Sequence, residues 1–430
     1  MIDIKLIREN PEIVKENIKK KFQNQKLALV DKIKQLDEQW RKEKYKADQL
    51  RRIRNELSQK INKAKKDKDE KLAKKLIKTA QEIPEKIKKI EEKNKRTENE
   101  IWSLQIQIPN IIHKSVPIGK DDNENKEIEK IGKIPKFDFK PKNHIEIGEN
   151  LKILDFDTSA ETSGKGFYYL KNQLAIINQA LIRFGIEKMT SKGFVYIETP
   201  YMLRKKVIDN VTDLFDQQNQ IYKIEGEDLY LIGTSEHSLI GRFIDTVIPE
   251  SELPIMNTSY SMCFRKEIGA HGIEEKGLYR THQFNKIEMI VICKPEESMN
   301  FFEKMKNITV EIFKDLKIPV RVLEMCSGDL GELKHKQIDV EAWSPVTKKY
   351  YEVGSCSNLT EAQARKLKIR TSKPNGEKYT PHTLNNTAIA TSRALVAILE
   401  NFQQKDGSVK IPKALWRYTG FKEIKPEKHK

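Results

Sequence analysis

From Leu29 onward the apolar residues of this chain advance in steps of four and three: Leu29, Ile33, Leu36 and Trp40, then Ala47, Leu50, Leu57, Ile61 and Ala64. Glu43 and Arg54 interrupt the series, the second beside Ile53. After the polar run KKDKDEK the stepping resumes through Leu76, Ala80, Ile83, Ile87 and Ile90 to Ile101 and Leu104. A 3.5-residue apolar repeat keeps one seam of a helix turned toward a partner. Two such seams joined by a polar turn predict an antiparallel coiled-coil hairpin over about residues 27–105. Each arm, of about 35–40 residues, would span on the order of 55 Å at 1.5 Å per residue. Pro84 removes one hydrogen bond from the second arm and predicts a kink there. Upstream, Asn10-Pro11 reads as an N-cap and a first-turn proline opening a short helix to about Phe22.

Charge is unevenly spread along this pattern. The formal net charge is +17; residues 1–110 carry 31 Lys and Arg against 19 Asp and Glu, and residues 41–80 alone carry 16 against 6. The excess therefore sits on the outer half of the hairpin. It suits either an anionic partner, nucleic acid first, or a solvated lysine-rich surface. No apolar stretch approaches the roughly 20 residues of a membrane span, and MIDIKLIRENPE has neither a secretory apolar core nor the look of a transit peptide. Four cysteines (Cys263, Cys293, Cys326, Cys356) without a CxxC pair exclude a zinc ribbon and a disulfide scaffold, and fit a reduced cytoplasm.

Residues 111–140 are punctuated by Pro117, Gly119, Gly132 and Pro135 and by the acidic run DDNENKE, and are expected to form a linker. From 141 to 430 a single α/β domain is expected. A helix over about Leu174–Met189 leads into the strand FVYIETP; the segments DLYLI, PIMNTSYSMCFRKE, HQFNKIEMIVIC, IPVRVLEM and KYYEVGS alternate as strands do. Hairpin-length connections with helices set apart predict α+β architecture, a mostly antiparallel sheet flanked by helices.

Two of these strands carry charges. Alternation puts Arg265 and Glu267 on one face of the first and Phe284, Lys286 and Glu288 on one face of the second, with Arg280 at the loop's return. Such a floor could hold phosphate through guanidinium groups and stack a base on a ring; a charged, solvent-facing hairpin has the same pattern. The connection Ile268–Tyr279 is twelve residues with three glycines, longer than a hairpin needs. LIGTSEHSL places Thr234, Ser235 and Glu236 where a strand ends and a helix begins, though Ser235 also suits an ordinary N-cap. YYEVGSCSN places Glu352 and Ser355 at another strand end, oxygen donors suited to Mg2+ on phosphates. TLNNTAIATSRALVAILENFQQ predicts a helix from about Asn385–Thr387, with Arg393 among apolar residues and so facing a partner or a cavity.

FRKE…RTHQFNKIEM resembles motif 2 of the class II aminoacyl-tRNA synthetases, in the form found in the seryl-tRNA synthetase family. TSE at 234–236, EVGSCSN at 352–358 and LNNTAIATSRALVAILENFQ, which is similar to motif 3, follow in that family's order. The helix and strand ending at Pro200 resemble motif 1, which builds the family's dimer interface, and the hairpin resembles its tRNA-binding arm. The resemblance spans essentially the whole chain. It implies Arg265 on the α-phosphate and Glu267 near an adenine stacked on Phe284, with Arg280 and Arg393 clamping the outer phosphates; Arg265 and Arg393 are the catalytic pair. Lys266, Val353 and Gly354 complete the implied ATP set, and Glu352 and Ser355 are the implied Mg2+ ligands. Thr234, Ser235, Glu236, Arg265, Glu288, Asn385 and Thr387 are the implied serine ligands. Where many members have Asn-Gly-Ser-Gly, this chain has Asn385-Asn386-Thr387-Ala388. Lys266 and His271 receive no definite role in the loop, which in the family meets the tRNA acceptor end. KMTSK at 188–192 and SGKGF at 163–167 mimic a class I synthetase loop and a P-loop but lack the accompanying motifs.

The implied reaction is ATP-dependent activation of L-serine to seryl-adenylate and transfer to tRNA(Ser), with tRNA(Sec) open as a second acceptor. ATP is a substrate, Mg2+ the expected cation, and no zinc is expected. The expected partners are tRNA, held by the arm of the other subunit of a homodimer, with no membrane. An amino acid:carrier-protein ligase would lack the basic arm. A catalytically dead RNA-binding paralogue would have lost the motif arginines, and none is missing.

Overall fold

In a computed structural model, which describes residues 1–212, 219–267 and 277–427, two short helices precede the hairpin: α1 (Ile4–Glu9) and α2 (Pro11–Lys20). Pro11 opens α2 as expected, but Asn10 makes no side-chain capping bond. The heptad seam then occupies α3 (Leu27–Lys66) and α4 (Glu70–Gln105), which pack together along their length. At 1.5 Å per residue the longer helix spans about 60 Å. Val30, Ile33, Leu36, Ala47 and Ala64 of α3 are buried, as are Ala73, Ile83, Ile87 and Ile101 of α4. Pro84 lies inside α4, and the helix runs through it unbroken. Asp69 caps α4 by accepting from the Leu72 amide at 3.0 Å.

The interruptions in the seam differ in kind. Glu43 accepts from Lys93 across the hairpin at 3.4 Å and from Lys46 at 3.3 Å, whereas Arg54 is exposed. A further polar tie in this unit is Asp37, a buried carboxylate that accepts from Arg8 Nε and Nη2 at 2.8 and 2.9 Å and from Arg41 Nε at 3.0 Å. Burial alone would raise its pKa; the two guanidinium groups outweigh it and hold the carboxyl below the ordinary aspartate value.

The chain divides into two units, Met1–Pro109 and Asn110–Lys430. The second is built on an eight-stranded sheet: β1 (Lys126–Ile131), β2 (Val195–Tyr196), β3 (Ile255–Phe264), β4 (Gln283–Cys293), β5 (Val320–Glu324), β6 (Lys336–Ser344), β7 (Lys349–Thr360) and β8 (His382–Ala390). Their order is β1-β5-β6-β7-β8-β4-β3-β2, antiparallel except for the β2–β3 pair. Helices α5 (His144–Asn150), α6 (Asn172–Ser191), α7 (Ser235–Gly241), α8 (Ser298–Asp315) and α9 (Thr391–Asn401) surround it. The main core joins α6, α8 and α9 to Ile287, Met289 and Val291 on one face of β4. On the other face Ile290 and Ile292 join a smaller cluster with Leu239 and Ile240 of α7. β8 pairs with β4 from His382↔Cys293 to Thr387↔Glu288, then slips by one residue, so that Ile389 faces Ile287 and Ala390 faces Lys286. This is a β-bulge at Ala388.

Three sequence expectations need correction. Within the expected linker, Lys126–Ile131 forms the edge strand of the sheet; its charged residues suit an edge with one open side. Residues 385–390 belong to a strand, and the helix begins at Thr391. This strand is buried on both faces, so its short apolar run lacks the alternation that separates strand from helix. FVYIETP contributes only the two-residue strand β2. Among the described residues no helix is long and apolar enough to cross a membrane.

Replacing Asp37 with Ala strands Arg8 and Arg41 and is expected to destabilise the N-terminal unit by about 2–3 kcal/mol. Because the folded pKa is depressed, the tie contributes fully above the ordinary aspartate value and is lost as pH falls through the folded one. Thermal melts of the whole chain followed at 222 nm should show the early helical transition move down at pH 7 and converge on wild type in acid. Equal melts at pH 7 would contradict the assignment.

Candidate active site

Alternation along β3 and β4 determines which side chains reach the cavity. Their ladder runs from Ile255↔Ile292 to Phe264↔Gln283, and the Arg265 amide extends it by donating to the His282 carbonyl at 3.0 Å. The chain then turns sharply: Glu267 has φ of 48°, left-handed for a residue with a side chain, a conformation that persists only where its surroundings hold it. Arg280 Nη1 donates to Glu267 Oε2 at 3.3 Å. Arg265, Glu267, Arg280 and Glu288 thus line one cavity of about 390 Å3, within the range of small-molecule sites. A connected recess of about 80 Å3 shares Arg265, Glu267, Arg280 and Lys286 and adds Phe284, Val353 and Arg393.

At one end two carboxylates face inward. Glu288 is buried, and its Oε2 accepts from Lys286 Nζ at 2.5 Å and Thr387 Oγ1 at 3.2 Å. Glu236, in the first turn of α7, accepts through Oε1 from Asn385 Nδ2 at 2.8 Å and Gln363 Nε2 at 2.7 Å. Burial and the charge of Glu288 push its pKa up to about 6. Thr234 caps α7 by accepting from the Glu236 amide at 3.3 Å. Beside them, burial and the charges of Arg265 and Lys286 push His237 down to about 3, leaving a neutral imidazole whose Nδ1 has no hydrogen-bond partner among the described residues.

At the other end the arginines stand against ring faces. The Arg265 guanidinium lies 5.3 Å from the Phe284 ring centroid while its Nε donates to the Gly233 carbonyl at 3.1 Å. Arg393 lies 4.6 Å from the Tyr279 ring; its Nη1 donates to the Glu352 carbonyl at 2.8 Å and stands 3.2 Å from Glu352 Oε2. Burial works against the charge on Glu352, but Arg393 outweighs it and lowers the pKa. Asp339, opposite Ser355 in the β6–β7 ladder, moves the other way: burial and the charge of Glu352 push it up to about 7. Gln337 Nε2 bridges Asp339 Oδ1 at 2.6 Å and Ser355 Oγ at 2.9 Å, and Lys334 Nζ donates to Gln337 Oε1 at 2.7 Å. Among the described residues no three His, Cys, Asp or Glu form a ready-made metal cage; a cation at Glu352 and Ser355 would need phosphate or water oxygens as well.

Most of the sequence-derived candidates converge here, and three stand apart from the cavity wall. Ser235 is fully buried with its hydroxyl donated to the Ser259 carbonyl at 3.2 Å. Gly354 packs on the back of the sheet, where an added Cβ would lie 2.8 Å from Thr309 Cγ2. Lys266 turns its ammonium toward the Tyr222 ring, 5.8 Å away. His271 and most of the expected tRNA-facing loop lie outside the described residues. Sequence reading placed Lys286 on the right face without a role and did not find Gln337, Asp339, Gln363 or Tyr279. Only Lys286 had a local signal, its two-residue offset from Glu288.

The comparisons agree with this geometry. Residues 1–112 match the seryl-tRNA synthetase N-terminal domain, and residues 214–402 match the tRNA synthetase class II core domain (G, H, P, S and T). The chain is 45% identical over 447 residues to a serine–tRNA ligase of Thermococcus sibiricus, covering 99% of this chain and 98% of the relative. With the serine–tRNA ligase of Methanoregula boonei it shares 43% identity over 426 residues, 99% of this chain and 100% of the relative. The structure of the Pyrococcus horikoshii seryl-tRNA synthetase complexed with ATP superposes with a TM-score of 0.93 at 42% identity, over 100% of both chains. The cytoplasmic serine–tRNA ligase of Naegleria fowleri in complex with AMP gives 0.88 at 33% identity, over 99% of both chains. With both of its units matched and its relatives spanned end to end, the chain belongs to the seryl-tRNA synthetase family.

Proposed function

We propose that the chain activates L-serine with ATP to seryl-adenylate and pyrophosphate, then transfers the seryl group to the terminal ribose of tRNA(Ser), with tRNA(Sec) a second acceptor to be assayed. The observation that carries this reading is a cavity lined by Glu236, Glu288 and the Thr387 hydroxyl and an adjoining recess lined by Arg393, the two sharing Arg265 and Arg280. Glu236 takes the serine ammonium, Arg265 its carboxylate, and Glu288 with Thr387 its hydroxyl; Thr234 and Asn385 complete that wall. Lys286 and Thr387 already occupy Oε2 of Glu288, which leaves Oε1 as acceptor for the substrate hydroxyl. On the ATP side Phe284 stacks the adenine near Glu267, Arg265 reaches the α-phosphate, and Arg280 and Arg393 hold the outer phosphates. The serine carboxylate attacks the α-phosphorus in line, and pyrophosphate leaves. This step needs positioning and charge neutralisation more than a protein nucleophile.

Glu352 and Ser355 would hold Mg2+, which when bound neutralises phosphate charge. Their hard oxygen donors suit it, and the upward push on Asp339, from burial first and then from the charge of Glu352, includes negative charge that a cation would offset. The domain plan that fits this chemistry is a tRNA-binding arm over 1–110 followed by the catalytic unit, which takes in strand β1 of the segment first expected to be a linker. The enzyme is a cytoplasmic homodimer whose arm serves the partner's active site.

Pyrophosphate exchange with each of the twenty amino acids tests the reading: serine alone should stimulate it, with alanine weaker by about 10^4 because it leaves Glu288 and Thr387 unpaired. Absence of serine stimulation overturns the assignment. Glu236 must be ionised to hold an ammonium. With its pKa raised to about 6, KM for serine should be flat above neutral pH and rise about tenfold per unit well below that value. Glu236→Gln should give a high KM with no such rise, and a wild-type KM constant down to pH 5 would remove Glu236 from this role. Deleting residues 30–105 should leave exchange intact and abolish tRNA charging, whereas loss of both would contradict the arm's role.

A further inference from the structure

The returning end of the β3–β4 connection is pinned by a residue far from it in sequence. His144, the first residue of α5, is buried beside Glu400 near the end of α9. Glu400 Oε1 accepts from the His144 backbone amide at 3.3 Å and stands 3.1 Å from its Nδ1, while Oε2 accepts from Ser344 Oγ at 2.6 Å. A carboxylate only accepts, so the imidazole proton sits on Nδ1. Nε2 is then a bare lone pair, and it accepts from the Leu278 amide at 3.1 Å. Leu278 is fully buried. The residue before it fits only as glycine: Gly277 has φ of +76°, and a Cβ there would lie 2.1 Å from His144 Nε2. An asparagine capping box on α5, with Asn143 accepting from the Glu146 amide at 2.9 Å and Glu146 accepting from the Asn143 amide at 2.9 Å, fixes where His144 starts.

The two residues that follow this anchor are Tyr279, whose ring lies against Arg393 and edge-on to Tyr351 at 5.3 Å, and Arg280, which meets Glu267. We propose that His144, oriented by Glu400, is a positioning residue for the nucleotide side of the site, acting through the Leu278 amide to set Tyr279 and Arg280. The inference rests on the assignment of Arg280 and Arg393 to ATP. His144 touches no substrate. An apolar side chain of similar size would preserve the packing of α5 but could not accept the Leu278 N–H, so packing and positioning can be told apart.

The test is steady-state pyrophosphate exchange by the full-length chain, with hydrogen exchange of peptides covering 277–282 read by mass spectrometry. His144→Phe should raise KM for ATP about tenfold, leave KM for serine within about twofold, and speed exchange over 277–282. His144→Gln, whose amide both donates and accepts, should bring KM for ATP back to within about threefold of wild type. A parallel rise in both KM values, faster exchange with no change for ATP, or a glutamine variant no better than phenylalanine would each overturn the proposal. If His144→Phe does not fold, Gly277→Ala presses on the anchor with the histidine in place and should raise KM for ATP alone; an unchanged value overturns the idea. Arg280→Ala separates this from the function itself: if it too leaves KM for ATP unchanged, the ATP assignment is what fails.

Discussion

The antiparallel ladder between β3 and β4, ten paired positions long, is the constraint on which the rest depends. Because successive side chains alternate faces, one register decision gives Ile287, Met289 and Val291 to the main core and Lys286 and Glu288 to the cavity. The helices α6, α8 and α9 pack on the first set, so sliding the ladder by one residue would turn two charges into the core and three core side chains toward the cavity side. Fold stability and site composition are thereby secured by the same pairing.

Around the cavity, each carboxylate is balanced in its own way. Glu288 has a lysine against one oxygen, and Glu352 has Arg393. Glu236 accepts from two side-chain amides, and burial with the charge of Glu288 pushes its pKa up to about 6. That difference suits three different tasks. A carboxylate held by a fixed cation keeps its geometry through the reaction, while one held by neutral donors gains most when a cationic ligand group arrives. Asp339, which accepts from the Gln337 amide, is pushed up to about 7 by burial and by the charge of Glu352.

Much of this was legible in the sequence, for reasons that differ by element. The hairpin was readable because its repeat runs over many turns, and even Glu43 was visible as a break, though not that Lys93 would answer it from the other helix. The charged strands were readable because two-residue spacing is local. What escaped was set by distant chain segments: Gln363 reaches Glu236 from over a hundred residues away, and Asp339 joins Ser355 only through the β6–β7 register. Ser235 and Gly354 were misplaced because neighbours in a motif do not share a face. Strand β8 reads as the start of a helix because both of its faces are buried and alternation is silent.

The slip at Ala388 has a consequence for how this segment tolerates change. Up to Thr387 the residues of β8 keep step with β4; beyond it they are displaced by one, which sets Ala390 opposite Lys286 and sends Ile389 to the core. Without the slip Ala388 would stand opposite Ile287 and Ile389 opposite Lys286, turning an isoleucine toward the cavity. The extra residue therefore decides which side chain meets the core and which the cavity, and Ala388, itself fully buried in the main core, leaves little room for a larger one.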